Sequence, residues 1–190
     1  MKKMRYLLKE NVSGGPAPFD TELEITETDD EYVFVFFAEH SFGYCVCNEY
    51  NGPHYKGDVC EIFIGTDPFR KTYYEVEVSP KNALFLAKIT YCGNNPKGDP
   101  VIEAEFVPEE DGFVKSSVTV TGGGYTAVIR IRKERVSTGN GKTFFNAYRI
   151  ETDGGETEKH LFALSPTLRK KFHVPEKFAL LENYEKQAEN

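Results

Sequence analysis

The chain has 190 residues, 39% of them hydrophobic with 15 Phe and 11 Tyr, which supplies one well-filled core and is too little for two ordinary domains. A formal net charge of -7 and a pI near 5.2 argue against nucleic acid as partner, because a phosphate backbone is met by clustered Lys and Arg. The nearest such run, Arg169-Lys170-Lys171, is short enough to be a solvated loop.

Taken in chain order, residues 1 to about 18 show no strand alternation and are expected to be frayed. Their only apolar run, Tyr6-Leu7-Leu8, is well below the ~7 to 15 residues of an export-signal core. No stretch reaches the ~18 apolar residues of a membrane helix, so the expectation is a soluble, cytoplasmic protein with no membrane partner. Had a leader been removed, the same residues would serve outside the cell. Glu22 to Thr26 alternates as E-L-E-I-T and buries Leu23 and Ile25, while Tyr32 to Ala38 is nearly continuously apolar, as in a central strand. Further strand-like runs follow at Phe42 to Cys47, Val59 to Ile64, Tyr73 to Val78, Ala83 to Thr90 and Ile102 to Phe106. The last are Val114 to Thr121, Tyr125 to Arg132, Phe144 to Glu151 and Phe178 to Leu181.

Between them stand turn clusters such as Gly65-Thr66-Asp67-Pro68, Ser79-Pro80-Lys81-Asn82 and Gly122-Gly123-Gly124. The stretch Thr152 to Lys171 is expected to be a long, irregular and therefore functional loop, and residues 185 to 190 a frayed tail. The pattern predicts an all-β chain: a single antiparallel two-sheet β-sandwich of about ten strands, one domain over residues 1 to 190.

Several local signals carry little. Thr138 to Thr143 ends in GKT but lacks the first glycine of a phosphate loop, and is expected to be a hairpin turn. Cys45, Cys47, Cys60 and Cys92 form no disulfide framework and read as buried free thiols. Asp29-Asp30-Glu31 and Glu109-Glu110-Asp111 offer oxygen donors that suit calcium, yet each is more simply a solvated turn.

The functional signal lies in Tyr55 to Pro80 and Phe144 to Pro175, where polar and aromatic residues recur at strand spacing. Alternation puts Cys60, Ile62 and Ile64 on one face and Val59, Glu61 and Phe63 on the other. It likewise separates Tyr74, Val76 and Val78 from Tyr73, Glu75 and Glu77, so three carboxylates share one surface. In Phe144 to Glu151 the split is Asn146, Tyr148 and Ile150 against Phe145, Ala147, Arg149 and Glu151. Arg149 is then the expected counter-charge. Aromatic rings with fixed carboxylate and guanidinium groups suit a sugar, but the same residues suit an exposed face laced with ion pairs.

Tyr55-Lys56-Gly57-Asp58-Val59-Cys60-Glu61-Ile62-Phe63 resembles the W-x-D-D-x-x-E-x-F strand of carbohydrate-binding family 9-like domains. Tyr125 to Ile131 and Phe172-His173-Val174-Pro175 resemble two further motifs of that family, so the resemblance runs from about Tyr32 to Leu181. It implies a jelly-roll-like β-sandwich that binds a carbohydrate without catalysis, with calcium as a possible structural cofactor. The candidate ligand-binding residues are Tyr55, Glu61, Tyr73, Glu75, Glu77, Arg149, Glu151 and Phe162. Tyr55 stands where the family has Trp, and Glu75 and Glu77 where it has Arg and Asn, which implies weaker or altered sugar binding. Two alternatives stay open: a module that has lost its sugar and serves protein interaction or structure, and a glycoside-processing enzyme built on Glu61 with Glu75 or Glu77.

Overall fold

Leu23 and Ile25, two residues apart in the strand Thr21–Glu27 (β3), are both buried, and so are Phe34 and Phe36 in Glu31–Glu39 (β4). Period-two alternation of this kind turns one face of a sheet toward a partner sheet. A computed structural model describes residues 3–41, 43–65, 67–136, 142–155 and 158–181. The first sheet combines β3 and β4 with Lys3–Leu7 (β1), Val114–Thr121 (β9) and Gly124–Arg132 (β10), in the order β1-β3-β4-β10-β9.

The second sheet contains Lys9–Glu10 (β2), Val59–Gly65 (β5), Thr72–Val78 (β6) and Leu84–Asn94 (β7). It is completed by Pro100–Phe106 (β8), Phe144–Thr152 (β11), Lys159–Ala163 (β12) and the short Ala179–Leu180 (β13). Its order is β2-β12-β11-β5-β6-β7-β8, with β13 also paired to β11. All pairings are antiparallel. The sandwich expected from alternation is thus present, with 13 strands among the described residues rather than about ten.

Between the sheets, Phe34, Phe36, Ala127, Ile129 and Ile131 meet Cys60, Ile62, Ile64, Val76, Val78, Phe145 and Ala147 in one cluster. Each large aliphatic or aromatic side chain so buried contributes about 1.5–3 kcal/mol. A second cluster, with Phe63, Tyr73, Ala87, Ile89, Tyr148 and Ala163, lies on the other side of the second sheet. Strands β5 and β11 are therefore buried on both faces along their whole length. Antiparallel sheets commonly leave one face to water; here the chain after β12 covers part of it, with Phe172 and Phe178 packed against that cluster.

Three local expectations are corrected. From Lys3 onward the N-terminal stretch is not frayed: β1 pairs with β3 and β2 with β12, Leu8 is buried, and the Asn11 amide bonds Thr167 through Nδ2 (2.8 Å) and Oδ1 (2.8 Å). Main-chain pairing of this kind leaves no mark on side-chain alternation. Residues 43 to 47 form no strand, and Phe42 lies outside the described residues. Gly43 takes φ 66°, and the Tyr44 N–H donates to Asp58 Oδ2 (2.8 Å) instead of to a ladder. The stretch Thr152 to Lys171 contains β12, hidden because its five residues carry a mixed burial pattern. The expected hairpin turn Thr138 to Thr143 falls largely outside the described residues, which omit 138 to 141; the strands on either side of it, β10 and β11, belong to different sheets, with the helical turn Lys133–Val136 (α1) after β10.

The four cysteines are free, but only Cys60 is buried; Cys45 and Cys47 are half-buried and Cys92 is exposed. One carboxylate of each acidic loop is ion-paired, Glu31 with Arg130 (3.2 Å) and Asp111 with Arg135 (2.9 Å). Among the described residues, no helix is long and apolar enough to cross a membrane.

Candidate functional site

Register across the second sheet aligns Phe85, Glu77, Glu61, Tyr148 and Ala163 in one row on its outer face. The neighbouring row holds Ala87, Glu75, Phe63 and Asn146. Glu61, Glu75 and Glu77 thus sit together on the face that alternation assigned them, in the middle of a groove of about 990 Å³. That volume is ample for a small ligand.

The strand β5 is delivered to this position by what precedes it. Gly57 must be glycine, since a Cβ there would lie 2.5 Å from the carbonyl oxygen of Tyr44. The Asp58 carboxylate accepts from Ser41 Oγ (3.1 Å), Tyr44 N (2.8 Å), Thr152 N (2.9 Å) and Thr152 Oγ1 (2.7 Å), binding the incoming loop to the end of β11. Tyr55, in the 3-10 turn His54–Lys56, is half exposed at the rim of the groove. The Lys159 ammonium donates to the Tyr55 carbonyl oxygen (2.6 Å) and lies 5.9 Å from its ring centre.

One wall is made by the chain after β12. Phe172 stacks on Tyr148 with ring centres 4.2 Å apart and planes within 13°, and the Tyr148 hydroxyl donates to the Phe172 carbonyl oxygen (3.0 Å). His173 stacks on Phe63 (5.0 Å) and shares a hydrogen bond with the Tyr73 hydroxyl (2.7 Å). Phe85 and Phe106, in edge-to-face contact at 5.7 Å, form part of the lining, and Phe106 is largely exposed.

The floor is electrostatically unusual. Glu61 and Glu77 are only 2% exposed and Glu75 8%, and Glu61 lies directly across the strand pair from Glu77. Burial pushes the Glu61 carboxyl well above the ordinary range; the charge on Glu75 adds to this and Lys159 opposes it. Burial likewise raises Glu77, and holds Glu75 up at about 8 even though a hydrogen bond with Glu77 pulls it down. His173 Nε2 is 3.8 Å from Glu75 Oε1, but burial lowers the imidazole to about 4, so it is neutral and forms no ion pair with that carboxyl near neutral pH. One oxygen from each glutamate lies within 4.8 Å of the other two, a grouping able to hold a metal ion.

Of the residues expected at the site, Tyr55, Glu61, Glu75 and Glu77 come together there, and Tyr73 supports the wall through His173. Arg149, Glu151 and Phe162 do not. All three are fully buried on the opposite face, between the sheets, because β11 pairs Tyr148 and not Arg149 with Glu61. The Arg149 guanidinium donates to Glu151 Oε2 (2.6 Å), Thr21 Oγ1 (2.7 Å) and the Glu39 carbonyl (2.7 Å), and lies 5.1 Å from the Phe162 ring centre. Sequence reasoning passed over Lys159, Tyr148, Phe85 and Phe106; the Phe172-His173 motif was the available pointer to the wall.

Three solved structures share this architecture. A candidate carbohydrate-binding protein from Bacteroides uniformis superposes with a TM-score of 0.69 at 16% identity, over 95% of this chain and 85% of that one. A carbohydrate-binding module of family 9 from Caldicellulosiruptor kristjanssonii matches in its glucose complex with a TM-score of 0.61 at 10% identity, over 92% of this chain and 81% of that one. A family 9 module from the same organism in complex with cellotriose matches with a TM-score of 0.56 at 10% identity, over 84% and 70%. The fold is family 9-like. No protein-family model matches the chain, and no curated protein matches it significantly in sequence. The family 9-like fold is therefore carried by the strand pattern and its packing, with little of the sequence held in common.

Proposed function

We propose that the chain is a non-catalytic carbohydrate-binding module that holds a sugar in the groove on the outer face of its second sheet. The observation that carries this reading is the groove itself: a carboxylate floor of Glu61, Glu75 and Glu77 under exposed rings at Tyr55 and Phe106, on a fold shared with modules complexed with glucose and cellotriose. Rings cover the apolar C–H faces of a pyranose while carboxyl groups bond its hydroxyls. Tyr55 and Lys159 would close one side and Phe172 the other.

The placement of the carboxyl groups favours binding over hydrolysis. Glycosidases set their two carboxyl groups on either side of the scissile bond. Glu61, Glu75 and Glu77 here stand together on one floor, on two adjacent strands of a single sheet.

Calorimetric titration with glucose, cellotriose and a wider oligosaccharide panel tests the reading. Saturable binding that Glu61→Ala abolishes is expected, with no turnover of chromogenic glycosides. Silence across the panel would discard it in favour of a module for protein interaction.

A further inference from the structure

Glu61, Glu75 and Glu77 differ from an ordinary acidic patch in two respects. Each is more than nine-tenths buried, and two of their oxygens, Glu61 Oε1 and Glu77 Oε2, have no hydrogen-bond partner among the described residues. A buried carboxylate oxygen without a partner is costly, so native structures rarely keep one unless something binds there. The nearby donors are engaged elsewhere: the Lys159 ammonium on the Tyr55 carbonyl oxygen, and the His173 Nδ1 edge on the Tyr73 hydroxyl.

Geometry says what would fit. Calcium takes oxygen ligands at about 2.3–2.6 Å, which puts any two of them no more than about 5 Å apart. The three glutamate oxygens lie within 4.8 Å of one another, so a single ion can touch all three. The donor set is all carboxylate, with neither thiolate nor imidazole among the three, which suits a hard cation.

We propose that Glu61, Glu75 and Glu77 form a calcium-type divalent-cation site in the floor of the groove. Three carboxylates leave several of the ion's 6–8 positions open. Because the three residues line the groove, those positions go to water or, resting on the sugar-binding reading above, to two neighbouring hydroxyls of the bound sugar. The ion then has a double role: it is held by an oxygen of each buried glutamate and anchors the sugar.

The test is calorimetric titration of the chelator-treated chain with calcium chloride in sugar-free buffer, alongside its thermal midpoint. The expected result is one ion per chain, a raised midpoint, and affinity at least tenfold weaker in Glu77→Gln and in Glu75→Gln, two near-isosteric changes made separately. Glu31→Gln, in the ion-paired loop, should bind calcium as the unaltered chain does. No calcium uptake by the unaltered chain, or glutamine variants that both bind calcium as tightly as the unaltered chain, overturns the site. Repeating the sugar titration in chelator and in calcium separates the two readings: sugar binding without calcium uptake leaves the groove and removes the ion, while calcium uptake without sugar binding leaves the ion and removes the sugar.

Discussion

Tyr148 stands directly opposite Glu61 across the β11–β5 pair. That pairing puts a phenol and a stacked Phe172 beside the buried carboxylates, and turns the next residue, Arg149, into the space between the sheets.

Arg149 holds the two sheets together and does not touch the groove. Arg149→Met should cost about 3–5 kcal/mol in urea unfolding, since it removes the guanidinium that bonds the buried Glu151 carboxylate at 2.6 Å. Replacing Glu151 with Leu at the same time should recover much of that loss. Sugar affinity per folded molecule should stay unchanged in both, and a selective loss of affinity would place Arg149 at the site after all.

Phe172→Ala removes the ring stacked on Tyr148. A contact of this kind contributes roughly 0.5–1.5 kcal/mol, so sugar affinity should weaken by about two- to tenfold as the wall loosens. Isothermal titration reads the change directly.

In chelator, the carboxyl cluster should make stability fall as pH rises. Glu75 is held at about 8 against an ordinary 4.5, so the folded chain keeps a proton that the unfolded chain releases. Its contribution is complete below pH 4.5 and is lost progressively up to about pH 8. His173, held at about 4 against 6.5, acts in the opposite sense, its contribution fading as pH falls from 6.5 to 4. Urea midpoints of the chain and of Glu75→Gln should therefore diverge in the variant's favour across pH 4.5 to 8. A constant gap would contradict the buried, protonated floor.

Thiol reactivity should follow burial. The Cys60 thiol is pushed up to about 12 by burial, and its Sγ lies 3.3 Å from the Tyr125 hydroxyl. Cys92 is exposed. Iodoacetamide at pH 8 followed by peptide mapping should label Cys92 in the folded chain and reach Cys60 only after unfolding; early labelling of Cys60 would show that the core opens there.

Alternation fixed which side chains within a strand share a face. Glu61 with Phe63, and Tyr73 with Glu75 and Glu77, were legible because the period of two is a property of the local backbone. The same rule separated Tyr148 from Arg149 but could not say which of them met Glu61, and a shift of one residue reverses that choice. Charge pairing suggested Arg149; burial chose Tyr148, since Phe145 and Ala147, which share the face of Arg149, belong to the core between the sheets.

What the sequence determined by itself was therefore the all-β class, the sandwich and the shared face of the three glutamates, each a consequence of local periodicity. Only the tertiary structure decided the register of β11 on β5, the pairing of the N-terminal strands β1 and β2, and the seating of Phe172 and His173 as the groove wall. These join residues up to 156 positions apart, as Asn11 joins Thr167. Pairings over such separations are selected by the packing of the whole core, which no single strand encodes.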